Sequence, residues 1–321
     1  MEPAVRAVYA LNPDFQQDFD IVCCGNTMGN LLRFLDSSER SFRFNLELIN
    51  GTTFFVRNDS FPKELIDDVW GYGHTFPEAY TSWDQGLAGS VSHQRLIKYT
   101  FGGLSMLFRS ECDGYLKEKA SPQRDESQAQ AMSHKYSQAP AVSENQSQNQ
   151  PADLDELSQR LSSNPIHIGG RPIPQSAIFD IKTRSVKNEI NMEAMNPRLW
   201  LSQTPNFILA YHKSGHFDNI SIRDLPEELA HWEAEKQPLL RGLKTTLDLL
   251  IGIARRAKGQ KVEVRRTAGG PLEIRKIMDD KWTCLPQCLK ARWAGELEAA
   301  AESSDSDSDS SSEGEADYLK F

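Results

Sequence analysis

The sequence lacks an apolar run of bilayer length and a basic start leading into an apolar stretch, so neither a membrane span nor a secretory leader is expected. Cysteine is scarce. The five residues Cys23, Cys24, Cys112, Cys284 and Cys288 are odd in number and scattered, which argues against a disulfide framework and for a reducing compartment, nucleus or cytoplasm. Cys284 and Cys288 lie four apart, but no second pair or nearby histidine completes a zinc site, so both read as structural. His74, His212 and His216 make no metal cluster either: the first sits in a glycine-aromatic stretch and the others flank a turn. Also missing are a glycine-rich phosphate loop, a Ser-His-Asp order and a haem motif.

An excess of basic charge is lacking too, since the formal net charge is −9. Residues 302–321 hold seven acids and one lysine, a net of −6, which leaves −3 for the rest. The imbalance belongs to the tail and does not exclude a local basic groove.

What is present fits one sizeable core, with 321 residues of which 39% are hydrophobic and 9% aromatic. Two segments stand outside it. Residues 121–164 are dominated by Ser, Gln, Asn and Ala and read as a disordered insertion; residues 296–321 form an acidic Ser/Asp-rich tail, also disordered and open to phosphorylation. Residues 1–120 and 165–295 then form the two parts of one domain. In it, residues 42–57 alternate around Asn50-Gly51, the preferred dipeptide of a tight hairpin. Residues 95–116 read as two strands broken at Gly102-Gly103, and residues 176–184 and 206–212 as further strands. The leucines of residues 226–257 recur at helical spacing and predict one long amphipathic helix. Residues 261–277 repeat the strand, Gly-Gly, strand pattern. The expected class is α+β, a mixed sheet flanked by helices.

Two i, i+2 pairs carry chemistry. Glu111-Cys112-Asp113 sits in an expected strand, where alternation places both carboxylates on one face. Asp180-Ile181-Lys182 repeats the arrangement in the apolar run AIFDIKT. If the two strands are neighbours, three carboxylates and a lysine converge. Acids so close repel unless a cation lies between them, and oxygen-only ligands favour Mg²⁺ or Mn²⁺. Such an ion activates water and polarises a phosphoryl oxygen; Lys182 would orient or help deprotonate that water. Charges that interrupt core-like strands are costly to bury without a function.

The order of these segments resembles the DXO decapping nuclease family, built on the PD-(D/E)XK nuclease core. Asn50-Gly51-Thr52-Thr53 leads to Trp70-Gly71-Tyr72-Gly73-His74-Thr75-Phe76-Pro77-Glu78, similar to the family's glycine-aromatic motif ending in glutamate. Glu111-Cys112-Asp113 matches its acid-Val-Asp strand, Asp180-Ile181-Lys182-Thr183 its Glu-Leu-Lys-Thr strand, and Leu199-Trp200-Leu201-Ser202-Gln203 its aromatic helix with a glutamine. The resemblance spans roughly residues 20–225. It implies a mixed sheet of PD-(D/E)XK type and metal-dependent hydrolysis at RNA 5′ ends: decapping, pyrophosphate removal and 5′ to 3′ degradation, alone or with a 5′–3′ exoribonuclease partner. It further implies Glu78, Glu111, Asp113, Asp180 and the Ile181 carbonyl as ligands of Mg²⁺ or Mn²⁺. Asp113, Asp180 and Lys182 would be catalytic, with Gln203 on substrate or water. Where the family places an RNA-gripping arginine, this sequence has Cys24, and 180 is aspartate where the family has glutamate.

Arg184, Lys187, Arg198 and Lys213, interleaved with Trp200 and Tyr211, could grip phosphates and stack a terminal base. Two alternatives remain on sequence grounds. One is a catalytically inactive scaffold that binds RNA or a partner; the other is a nuclease-like mitochondrial RNA-processing protein, whose D-x-K-T-R segment resembles residues 180–184.

Overall fold

The computed structural model describes residues 1–16, 18–58, 71–90, 92–120, 166, 170–257, 259, 261–279 and 282–296. The expected insertion at 121–164, all but the first residue of the expected tail, and Trp70 lie outside the described residues.

Helix α1 (Glu2–Leu11) precedes strand β1 (Ile21–Cys24) and helix α2 (Gly25–Leu35). Strands β2 (Phe42–Ile49) and β3 (Thr52–Arg57) form the expected hairpin, followed by α3 (Thr75–Tyr80) and a second hairpin of β4 (Gln94–Phe101) and β5 (Leu104–Glu111). Next come the short β6 (Gly114–Tyr115), β7 (Ile178–Ser185), α4 (Met192–Leu201), β8 (Asn206–Lys213) and β9 (His216–Asp224). Helices α5 (Pro226–Glu235) and α6 (Gln237–Arg256), the hairpin β10 (Val262–Arg266) and β11 (Leu272–Lys276), and helix α7 (Gln287–Ala294) complete the order. Both central residues of the two tight turns have positive φ, 42° and 84° at Asn50-Gly51 and 55° and 84° at Gly102-Gly103. That geometry matches the twist of the flanking strands.

The expected long helix over residues 226–257 is two helices. Pro238 has no N–H to donate and its ring obstructs a preceding helical turn, so the chain breaks at Lys236 and restarts with proline in the first turn of α6.

The mixed sheet of seven strands runs β11-β10-β2-β3-β1-β5-β4, with β1 parallel to both β3 and β5. A second sheet, β6-β7-β8-β9, has its own hydrogen-bonded ladder, so the strand of Glu111 and that of Asp180 are not neighbours. One face of the large sheet packs on α2, α4, α5 and α6 through residues such as Ile21, Met28, Phe44, Phe108, Leu243 and Leu247. The other packs on α1 and α7 through Val5, Tyr9, Phe54, Leu107 and Trp293. With helices on both sides, every residue of β1 is buried. In α6 the buried residues Leu240, Leu243, Leu247, Leu250, Ile251 and Ala254 follow the spacing of one helical stripe.

The small sheet has two distinct faces. Phe179, Ile181 and Ala210 join Phe76 of α3 in a separate apolar cluster. Phe207 and Leu209, paired with Asp180 and Lys182, point the other way, into the main core beside Leu199 and Trp200 of α4. Asp180 and Lys182 therefore face α4.

Candidate active site

The chain passes from one sheet to the other between Glu111 and Gly114. Glu111 ends β5, exposed and paired with Gln94 on β4. Cys112 is buried, its N–H bound to the His93 carbonyl at 3.1 Å, and burial pushes its thiol up to about 11. Asp113 then donates its N–H to the Phe179 carbonyl at 3.3 Å and enters β6. Two residues of a continuous strand would share a face; these two lie on either side of a sheet change, so the i, i+2 rule does not apply to them.

Asp113 instead meets Asp180. Gly114 pairs with Phe179 in antiparallel register, which sets Asp113 beside Asp180. The Ile181 N–H donates to Asp113 Oδ2 at 2.6 Å. Asp180 is only 5% exposed. Burial first, then the adjacent Asp113 carboxyl, push its carboxyl up to about 8, against the opposing pull of Arg198. The Arg198 guanidinium, from the last turn of α4, donates to Asp180 Oδ2.

Lys182 lies two residues along β7 on the same face, half-buried. Burial, and then Arg184 and Arg198, lower its ammonium below the ordinary lysine value. Arg184 continues that face, exposed.

Three further expected residues lie on α3 and at the end of α4. Glu78 is exposed on α3, which packs through Phe76 on the Phe179–Ile181 side of the small sheet, and at about 100° per residue Glu78 turns away from Phe76. Trp200 is 7% exposed, with Nε1–H donated to Glu233 at 3.0 Å and its ring against Phe101 and Trp232. It serves the core and presents no free face for a base. Gln203 ends α4: its N–H goes to Trp200 O at 3.1 Å and that of Thr204 to Leu199 O at 3.0 Å, with Gln203 at φ 51°. That is the bonding of a Schellman cap, where glycine is usual. Its side-chain amide donates to Trp200 O at 2.6 Å, so it caps the helix that carries Arg198.

Among the described residues, no group of three or more His, Cys, Asp or Glu side chains could hold a metal. The pair still suits a hard cation. Adjacent carboxyls, buried at Asp180 and exposed at Asp113, form an oxygen-donor pair, and Mg²⁺ commonly uses one or two carboxylates with water and phosphate filling the rest. A cation enclosed by protein ligands alone does not fit.

The sequence offers Arg198 only as one of several phosphate-gripping cations, and Gly114 not at all. Neither carries a local signal: one depends on how α4 packs, the other on a ring across the strand.

The model of a family described as Domain of unknown function (DUF8563) matches residues 1–267. No curated protein matches the sequence. Among solved structures, Scheffersomyces stipitis Rai1 in complex with (3′-NADP)⁺ and calcium ion aligns at TM-score 0.59 and 11% identity, over 91% of this chain and 77% of that one. Candida albicans Rai1 in complex with pU5-Mn²⁺ aligns at 0.59 and 10% identity, over 92% and 80%. S. pombe Rai1 in complex with 3′-FADP aligns at 0.54 and 12%, over 86% and 77%. At these identities the likeness is one of fold.

Proposed function

Because this chain belongs to the DUF8563 family and shares the fold of the Rai1 structures, we propose that it is a divalent-metal-dependent hydrolase of RNA 5′ ends. One observation carries the reading: Asp113 and Asp180 meet where the two sheets adjoin, with Lys182 on the same face of β7. Asp113 and Asp180 would hold Mg²⁺ or Mn²⁺, with water and RNA phosphate completing the shell. The ion would supply an acidified water and neutralise charge on the phosphoryl oxygens. Lys182 orients that water at the scissile phosphate and offsets the charge that builds there. Arg184, Lys187 and Lys213, all exposed, hold the following backbone phosphates. The nucleotide and Mn²⁺ complexes of the Rai1 structures support this choice of ligand class. An association with a 5′–3′ exoribonuclease belongs to the same proposal.

The test is incubation with 5′-end-labelled RNAs bearing a triphosphate, an unmethylated cap, a dinucleotide cap or a monophosphate, each with Mg²⁺, Mn²⁺ or EDTA. Metal-dependent release of a 5′ product supports hydrolysis. Arg198 on Asp180, and a carboxylate set of two among the described residues, favour a second reading, an RNA-binding scaffold without turnover. RNA binding with no product from any substrate would select it.

A further inference from the structure

We propose that Arg198 is a resident counter-ion, paired with Asp180 in the metal-free chain and released by a divalent cation to grip an RNA phosphate on the same face. The inference rests on the reading of Asp113 and Asp180 as a cation site. It starts from an asymmetry: the Arg198 side chain is 57% exposed and that of Asp180 is 6% exposed. A guanidinium rooted at the surface thus reaches down to a buried carboxylate, and it can leave by rotating its own side chain without disturbing the core.

The root of that arm is fixed. Asn191 caps the start of α4 through its side chain, which accepts from the Ala194 N–H at 3.2 Å. The Schellman bonds close the other end of the helix, and Leu199, Trp200 and Leu201 anchor it in the core. Arg198 therefore has two places to put its charge: on Asp180, or over the surface that Lys182 and Arg184 share. A divalent cation at Asp180 competes for the same oxygen and removes the first. The planar guanidinium fork matches a phosphate in two-point geometry, which an ammonium does not. Metal loading and RNA capture would then be coupled through one side chain.

The experiment uses the full chain with Arg198→Met and Arg198→Gln, two neutral variants of similar reach at an exposed position; circular dichroism checks folding. Free Mn²⁺ is followed by electron paramagnetic resonance in the absence of RNA. Removing the competitor tightens Mn²⁺ binding about tenfold, the worth of one charge-assisted hydrogen bond at its lower end. Separately, 5′-phosphorylated pentauridylate is bound in Ca²⁺ and in EDTA. The wild type gains more affinity from Ca²⁺ than either variant does. Equal Mn²⁺ affinity in wild type and variants overturns the counter-ion role and leaves the metal site standing. No Mn²⁺ binding by any form overturns the metal site, and the proposal with it.

Discussion

Gly114→Ala tests whether the sheet change at Asp113 builds the carboxylate pair. A Cβ at Gly114 would lie 2.6 Å from Phe179 Cζ and 3.0 Å from Cε2, well inside contact distance. The glycine is not among those with positive φ, so the conflict is with the ring, not with the backbone. Phe179 is 5% exposed and clustered with Phe76, Leu116, Ile181 and Ala210, which leaves its ring little room to retreat. Overpacking of this kind costs about 1–3 kcal/mol. For an ordered region of this size that lowers the melting temperature by roughly 2–10 °C. The strain is relieved by moving β6 off β7, which lengthens the 2.6 Å bond from the Ile181 N–H to Asp113. An orienting contact of a metal-binding carboxylate is worth about tenfold or more in metal affinity. Differential scanning fluorimetry and Mn²⁺ titration on one preparation read both effects. Phe179→Leu, which shortens the ring to a branched tip, should restore part of each when combined with Gly114→Ala. An unchanged melting temperature with unchanged Mn²⁺ affinity in Gly114→Ala would refute the reasoning.

Three further outcomes are expected. Asp180→Asn retains the fold but loses metal-dependent cleavage of 5′-labelled RNA by about 100-fold or more, an effect on turnover that added Mn²⁺ does not repair. Lys182→Met lowers turnover by about 100-fold while Mn²⁺ binding stays within a few-fold of wild type, as single-turnover rates and a metal titration will show. The third concerns stability. Glu47 is 6% exposed, accepts the Cys284 N–H at 2.8 Å and pairs with Lys290. Burial opposes its ionisation, but these partners outweigh it and hold the carboxyl below its ordinary value of 4.5. A depressed acid contributes stability above its unfolded value and loses it as pH falls through the folded one. Urea unfolding between pH 7 and pH 3 should therefore show an acid loss that is smaller in Glu47→Gln, and parallel curves for the two proteins would count against it.

Among the strands legible in the sequence, β7 and β8 are marked by apolar runs and the hairpins by their turns. Asn50-Gly51 and Gly102-Gly103 impose a backbone conformation locally, and the hairpins they close were readable without any knowledge of the rest. The break at Lys236 is hidden by leucine spacing that continues almost in phase across it, and Pro238 carries the contrary signal. The division into two sheets was not legible at all. It depends on β5 ending at Glu111 and the chain crossing within two residues to pair with β7, a step set by long-range register.

That crossing explains why the candidate site was half visible. Alternation on β7 is a local property, so Asp180 and Lys182 could be assigned to one face from the sequence alone. The same rule applied to Glu111 and Asp113 assumes one strand, and the chain changes sheet between them. What brings Asp113 to Asp180 is the pairing of Gly114 with Phe179, a contact between residues 65 positions apart in which the absence of a side chain is the enabling feature. The balancing charge is no more local. Arg198 reaches Asp180 because Leu199, Trp200 and Leu201 seat α4 against the core, and any of several basic residues would have looked equally suited. A D-x-K strand thus fixes which side of a sheet can bear charge; whether that charge is balanced by an arginine or a metal is decided by a helix whose packing the motif does not contain.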